Sequence, residues 1–177
     1  MKWSESQSVD PLAGIAVGLM LVAFGFKVGA APFHLAAPDA YSGASSPVAG
    51  LLATASKAMG FVALMRILVS VTMPIEGEAF WYTAIAVIAV VTMTWGNLAA
   101  LTSSNPKRML AYSSVSHAGY MLAGLAAIGS GLGSEEAIEL VLTAIVFHLA
   151  VLVIFKFGAF LVLSLLETEG RSHRLED

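Results

Sequence analysis

Residues 137–166 read AIELVLTAIVFHLAVLVIFKFGAFLVLSLL, thirty positions in which only Glu139, His148 and Lys156 can carry charge. At about 1.5 Å of rise per residue a helix of this length measures about 45 Å, whereas about 20 apolar residues already cross about 30 Å of hydrocarbon. The stretch predicts a membrane helix that tilts or extends into an interface. Four further windows read as spans, at 11–31, 47–73, 80–102 and 109–128. None of them alternates with a period of two, and each is apolar on most sides, so helices are expected rather than a β-barrel. The fold class that follows is all-α: a polytopic transmembrane helix bundle of about five spans, a single membrane domain over residues 1–177 with a short polar tail at 167–177.

Composition agrees with that reading. Of 177 residues, 58% are apolar and 12% charged, about half the charge of a soluble domain, and mean hydropathy is +0.82. A soluble enzyme, a nucleic-acid binder and a disordered chain are excluded. The net charge of −3 offers no surface for polyanions. With no cysteine present, disulfides, thiolate zinc sites, iron–sulfur ligation and thiol nucleophiles are excluded as well. The four histidines share no ligand spacing, so no metal site is expected, and nucleophile elbows, phosphate loops and dinucleotide fingerprints are missing.

The first window does not read as a signal peptide: Lys27 stands near its end, no cleavage-like tail follows, and further spans come after it. Short connections rich in Pro, Ser, Asn and Gly separate the windows, leaving no room for an extramembrane domain, and Ser134 ahead of Glu135 and Glu136 reads as a helix N-cap. Basic residues orient the bundle. Lys107, Arg108, Arg171 and Arg174 fall on the side of the first and third connections and the C-terminal tail, and only Lys2 falls on the other. The expectation is N-terminus out, C-terminus in.

Four basic residues lie inside the windows: Lys27, Lys57, Arg66 and Lys156. A charge at a helix centre costs about 2.5–3.5 kcal/mol on insertion scales, and less near an end, where the side chain can snorkel. Arg66 is close enough to an end to read as a snorkelling or structural residue. Lys27 and Lys57 sit among Gly and Ala, which let helices approach and leave space for water or a carboxylate. A desolvated lysine can exchange its proton far more readily than one in water, which points to proton relay; a locked ion pair is the other reading. Lys156 follows His148 by eight residues, so the two could edge one polar seam.

Two further patterns stand out. Gly29 and Pro32 follow Lys27, so the first helix either breaks at membrane depth, as helices do at ion and substrate sites, or ends at the interface. In the fourth window Ser113, Ser116, His117 and Tyr120 occupy positions i, i+3, i+4 and i+7, a hydroxyl and imidazole stripe that could hold a water chain or bind a neighbouring helix.

These features occur in an order that resembles a known family. Phe26-Lys27, Pro32-Phe33-His34-Leu35, Pro38-Asp39-Ala40-Tyr41-Ser42-Gly43-Ala44, Ser46-Pro47-Val48, Ser56-Lys57 and Arg66 are similar to the antiporter-like membrane subunits of complex I. So is the run Asn105-Pro106-Lys107-Arg108-Met109-Leu110-Ala111-Tyr112-Ser113-Ser114-Val115-Ser116-His117-Ala118-Gly119-Tyr120. The tyrosine after Pro-Asp, and Ser-Lys on the next helix, resemble subunit N of NADH-quinone oxidoreductase. Multisubunit cation/proton antiporters show variants of the pattern.

The resemblance implies a proton-translocating subunit, in a prokaryotic cell membrane, of a pump that couples quinone reduction to H⁺ transport. It implies a proton relay through Lys27, Lys57, His117 and His34, supported by Ser113, Ser116, Tyr120, Lys156 and His148. No cofactor is implied in this chain; quinone, flavin and iron–sulfur clusters belong to partner subunits. Alternatives are a multisubunit cation/proton antiporter subunit, or a structural or vestigial five-helix piece. The chain departs from the family at Ala36, where tryptophan is usual, at Ser45, where proline is usual, and in length. Family members carry about fourteen helices, so the glutamate partner of Lys27 and a second broken helix are expected from a partner or a longer chain.

Overall fold

The computed structural model describes residues 11–68, 79–128 and 134–170. Lys2, Arg171 and Arg174, most of the second connection (69–78) and most of the fourth (129–133) lie outside the described residues, and with them most of the charges that orient the bundle.

Helix α1 runs Pro11–Val28 and stops where Gly29 takes a φ of +74°, a left-handed conformation that costs glycine nothing. The first window therefore ends three residues before its expected limit. The chain turns through residues 31–35, held by a bond from the Ala31 amide to Thr92 Oγ1 (3.0 Å). It then forms α2, Ala36–Gly43, inside what the sequence presented as a connection. Pro38 is tolerated there because it falls in the first helical turn, where no backbone donor is needed. The buried Tyr41 anchors α2 edge-on against Phe160.

The second span is one helix in three parts: α3 (Ser46–Leu51), a π turn (Leu52–Ser56) and α4 (Lys57–Ile67). Pro47 suits the first turn. The π turn adds a residue to the helical repeat just before Lys57 and so re-aims the face that follows. Helices α5 (Ala79–Leu101) and α6 (Pro106–Ile128) form a tight antiparallel hairpin. Asn105 caps α6, its Oδ1 accepting from the amides of Lys107 (2.9 Å) and Arg108 (3.3 Å), so the helix begins before the expected 109. Helix α7, Glu135–Thr168, is capped by Ser134 as the sequence indicated, with the Ala137 amide as donor.

Among the described residues, three helices are long and apolar enough to cross a membrane: Ser46–Ile67, Trp81–Leu101 and Glu135–Thr168. The apolar part of α1, Gly14–Val28, is shorter, and α6 has the length but carries the basic pair and the hydroxyl stripe. Val28, Phe61, Leu64, Ile85, Met121 and Leu149 centre the main core; Ala49, Ala53, Ala111 and Phe160 form a second around Tyr41. Outward faces are apolar too, from Leu19 and Phe26 on α1 to Ile154 and Phe155 on α7, as suits a molecule whose surroundings are lipid and other helices.

Close approach of α5 and α6 depends on two glycines. A Cβ on Gly96 would stand 2.6 Å from the Ser116 amide nitrogen, and one on Gly119 would stand 2.8 Å from the Met93 nitrogen. Backbone cannot yield as a side chain can, so small residues are required at this contact. Gly96→Ala and Gly119→Ala should each destabilise the folded chain by about 1–3 kcal/mol in a denaturation midpoint measurement. Gly18→Ala, where an added Cβ meets nothing within 4 Å, should not.

Candidate functional site

Lys57 opens α4 immediately after the π turn and is turned inward, 4% exposed. Its Nζ donates to the Ser114 carbonyl (2.6 Å) and lies 3.8 Å from where a Gly29 Cβ would be, so the ammonium rests against the interruption of α1. The C-terminal end of a helix favours a cation. Two residues earlier in α1, Lys27 runs its stem over Gly60 and donates to Ser56 Oγ (3.1 Å), beside Lys57 in sequence. Lys27 is exposed on the outer face of the bundle, although its Gly and Ala neighbours suggested enclosure. The small residues accommodate its stem instead.

Lys156 approaches the same place from α7. It is fully buried, donating to Ser113 Oγ (2.7 Å) and to the Leu110 carbonyl (3.2 Å). Two ammonium groups from different helices thus rest on adjacent residues of α6, Ser113 and Ser114. Among the described residues the ion pairs are Lys107–Glu167 and Arg108–Asp39, and neither involves Lys57 or Lys156.

One turn further along α6, His117 Nδ1 faces His148 Nε2 at 3.1 Å, a contact that needs one N–H and one lone pair. Tyr120 stands edge-on to His117. The stripe read from the sequence divides here between two neighbours. Ser113 and His117 meet α7, whereas Ser116 donates to Asn97 Oδ1 on α5 (2.7 Å) and Asn97 Nδ2 donates to the Tyr120 hydroxyl (3.4 Å). His148 and Lys156 do share a seam, since both face α6. His34 lies apart, in the turn between α1 and α2, buried edge-on against Trp95. Burial holds its imidazole below the usual histidine pKa, so it is neutral at pH 7. Neither of its ring nitrogens has a hydrogen-bond partner among the described residues. Arg66 is exposed, in keeping with a snorkelling position.

Sequence reasoning missed Ser56, Asn97 and the Leu110 carbonyl. Asn97, an isolated amide inside an apolar span, was the one signal that could have been followed. The described residues hold no group of three or more His, Asp or Glu arranged for a metal ion.

Among the described residues, a helical bundle with an interrupted helix and lysines buried without carboxylates has the features that mark ion pathways in membrane proteins generally. Residues 5–177 match the family described as NADH:quinone oxidoreductase/Mrp antiporter, TM, and the chain belongs to that family. It is 47% identical over 164 residues to NADH-quinone oxidoreductase subunit N 2 of Roseiflexus castenholzii, covering 91% of this chain and 31% of the relative. With subunit N of Salinibacter ruber it shares 46% identity over 156 residues, 88% of this chain and 29% of the relative. The fold superposes on a chain of respiratory complex I from Thermus thermophilus with a TM-score of 0.70 at 38% identity, covering 90% of this chain and 32% of that one. It superposes on a chain of the Mrp complex from Dietzia sp. at 0.73 and 27%, covering 89% and 27%. The chain thus spans about a third of the length of the curated relatives it matches.

A cation buried without a counter-charge costs stability. Lys57→Met and Lys156→Met keep volume while removing the charge, and each should stabilise the protein in its membrane assembly. The expected gain is on the order of 1–4 kcal/mol, the range seen when buried ion pairs give way to apolar residues of like size. A fall in the thermal midpoint of either variant would contradict this.

Proposed function

We propose that this chain carries part of the proton path of a membrane complex of the NADH:quinone oxidoreductase type, in a prokaryotic cell membrane with the N-terminus outside. One observation carries the reading: Lys57 and Lys156 converge from α4 and α7 on Ser113 and Ser114, with no carboxylate among the described residues to fix either proton. Two cations held on adjacent residues of one helix repel one another. A proton that arrives on one therefore tends to displace the proton on its neighbour, with the Ser113 hydroxyl as acceptor and donor beside Lys156 and a bridging water on the Lys57 side, where the partner is the Ser114 carbonyl.

In this reading Lys27 passes protons by way of Ser56 to Lys57. Lys57 and Lys156 exchange through water and the Ser113 hydroxyl, and the His117–His148 pair takes the next step. His34 supports the interrupted helix, and Ser116 and Tyr120 hold α6 to Asn97. Lys27 faces outward, so its counter-charge would come from a helix outside the chain described here, within a longer subunit or a partner. Quinone, flavin and iron–sulfur groups are assigned to partner subunits, because the relay residues handle protons alone.

A second reading, a cation/proton antiporter subunit without redox partners, is favoured by the likeness to the Mrp complex. Measuring quinone-dependent proton uptake by membrane vesicles containing the whole complex separates the two. Lys57→Ala should abolish coupled uptake and Lys27→Ala should reduce it severely, with uncoupled quinone reduction persisting. Unchanged uptake in Lys57→Ala would overturn the relay, and uptake that follows a Na⁺ gradient with no quinone dependence would favour the antiporter.

A further inference from the structure

We propose that Glu167 is a positioning residue that, with Lys107 and Ser46, sets the register of the Lys57 helix against the Lys156 helix. For transport this rests on the relay reading above; for structure it stands on geometry alone. Glu167 Oε1 accepts from Ser46 Oγ (2.6 Å) and pairs with Lys107 Nζ (2.6 Å), which also donates to the Ala44 carbonyl (2.9 Å). One carboxylate oxygen thus ties the end of α7 to the start of α3 and the start of α6. Ser46 is fully buried and Lys107 nearly so.

As ordinary helix stabilisers these charges are on the wrong ends. Lys107 stands in the first turn of α6, where the macrodipole favours anions, and Glu167 in the last turn of α7, where it favours cations. Their placement makes sense as a cross-link between helices.

From this clasp, α3–α4 and α7 run antiparallel. Eleven residues separate Ser46 from Lys57, and eleven separate Glu167 from Lys156. Between clasp and lysines the helices touch with no slack: a Cβ on Gly50 would stand 3.0 Å from the Phe160 Cβ, and Ala49, Ala53 and Phe160 are wholly buried. The two spans match in residue count and differ in length only by the π turn in the first, so both lysines come to about one level, roughly 16 Å from the clasp at about 1.5 Å per residue. There they reach Ser114 and Ser113. Slippage of either helix would move one ammonium off its α6 partner, and a misplacement of about 1 Å can cost on the order of 100-fold in a proton-transfer step.

The test uses membranes carrying the whole complex, with this chain tagged, assembly quantified by native gel, and coupled proton uptake measured. Glu167→Gln should assemble and lose about tenfold or more of coupled uptake. The exchanged pair Lys107→Glu with Glu167→Lys should recover most of it, because the ion pair re-forms with charges that now suit both helix ends. If Glu167→Gln does not assemble, Ser46→Ala removes a single clasp bond and should give a smaller loss in the same direction. Normal uptake in an assembled Glu167→Gln or Ser46→Ala protein overturns the proposal. So does loss in Glu167→Gln that the exchanged pair fails to restore, since the carboxylate would then act in its own right. Lys57→Ala and Lys156→Ala run in parallel: if both pump normally the relay reading has failed, whereas if they are inactive and Glu167→Gln is not, only the positioning role has.

Discussion

Two ammonium groups enclosed in a membrane bundle with no carboxylate partner among the described residues place the severest demand on this structure. Neither can reach bulk water, and each must spend its hydrogen bonds on neutral oxygens, the Ser114 carbonyl for Lys57 and Ser113 Oγ with the Leu110 carbonyl for Lys156. A carbonyl within a helix is normally engaged with its own helix, so these contacts require helices packed closely enough for a side chain to reach a neighbour's backbone. The glycines at 50, 96 and 119 and the alanines at 49, 53 and 111 serve that packing.

The interruptions have the same purpose. Gly29 ends α1 against the Lys57 ammonium, and the π turn at Leu52–Ser56 re-aims α4 so that Lys57 faces inward. Regular helices through both places would leave Lys57 with a different outlook. Irregular backbone is stable where protein satisfies its polar groups, and the Ala31 amide bonded to the buried Thr92 meets that condition. At the basic end of α6 the clasp of Glu167, Lys107 and Ser46 supplies the direct ion pair that the lysine site lacks.

Much of this was legible in the sequence. Membrane helices announce themselves because hydrocarbon thickness sets their length, and the five windows correspond to α1, α3–α4, α5, α6 and α7. Lys57, Lys156 and His148 each reach α6 between residues 110 and 117, where His117 lies, and the sequence singled them out because a polar residue in an apolar span has few reasons to be there. Other features depend on tertiary contacts that no local pattern encodes. Helix α2 was hidden by Pro38, Asp39 and Gly43, residues that ordinarily signal turns, and it holds because Tyr41 packs on Phe160, far away in sequence. The serine stripe appeared to serve one neighbour, yet three residues fall about 60° short of a full turn, so Ser113 and Ser116 diverge enough to meet α7 and α5 separately. The clasp escaped notice because its three members are ordinary residues near helix ends, 60 or more positions apart.

The most direct test of the account is an experimental density map of the assembled membrane complex, fine enough to show ordered water around residues 110–117. The account predicts Lys57 and Lys156 on Ser114 and Ser113, with no carboxylate within 4 Å of either ammonium and water joining them to His117 and His148. A carboxylate from the rest of the subunit paired with either lysine, or a dry apolar seal between them, would contradict it.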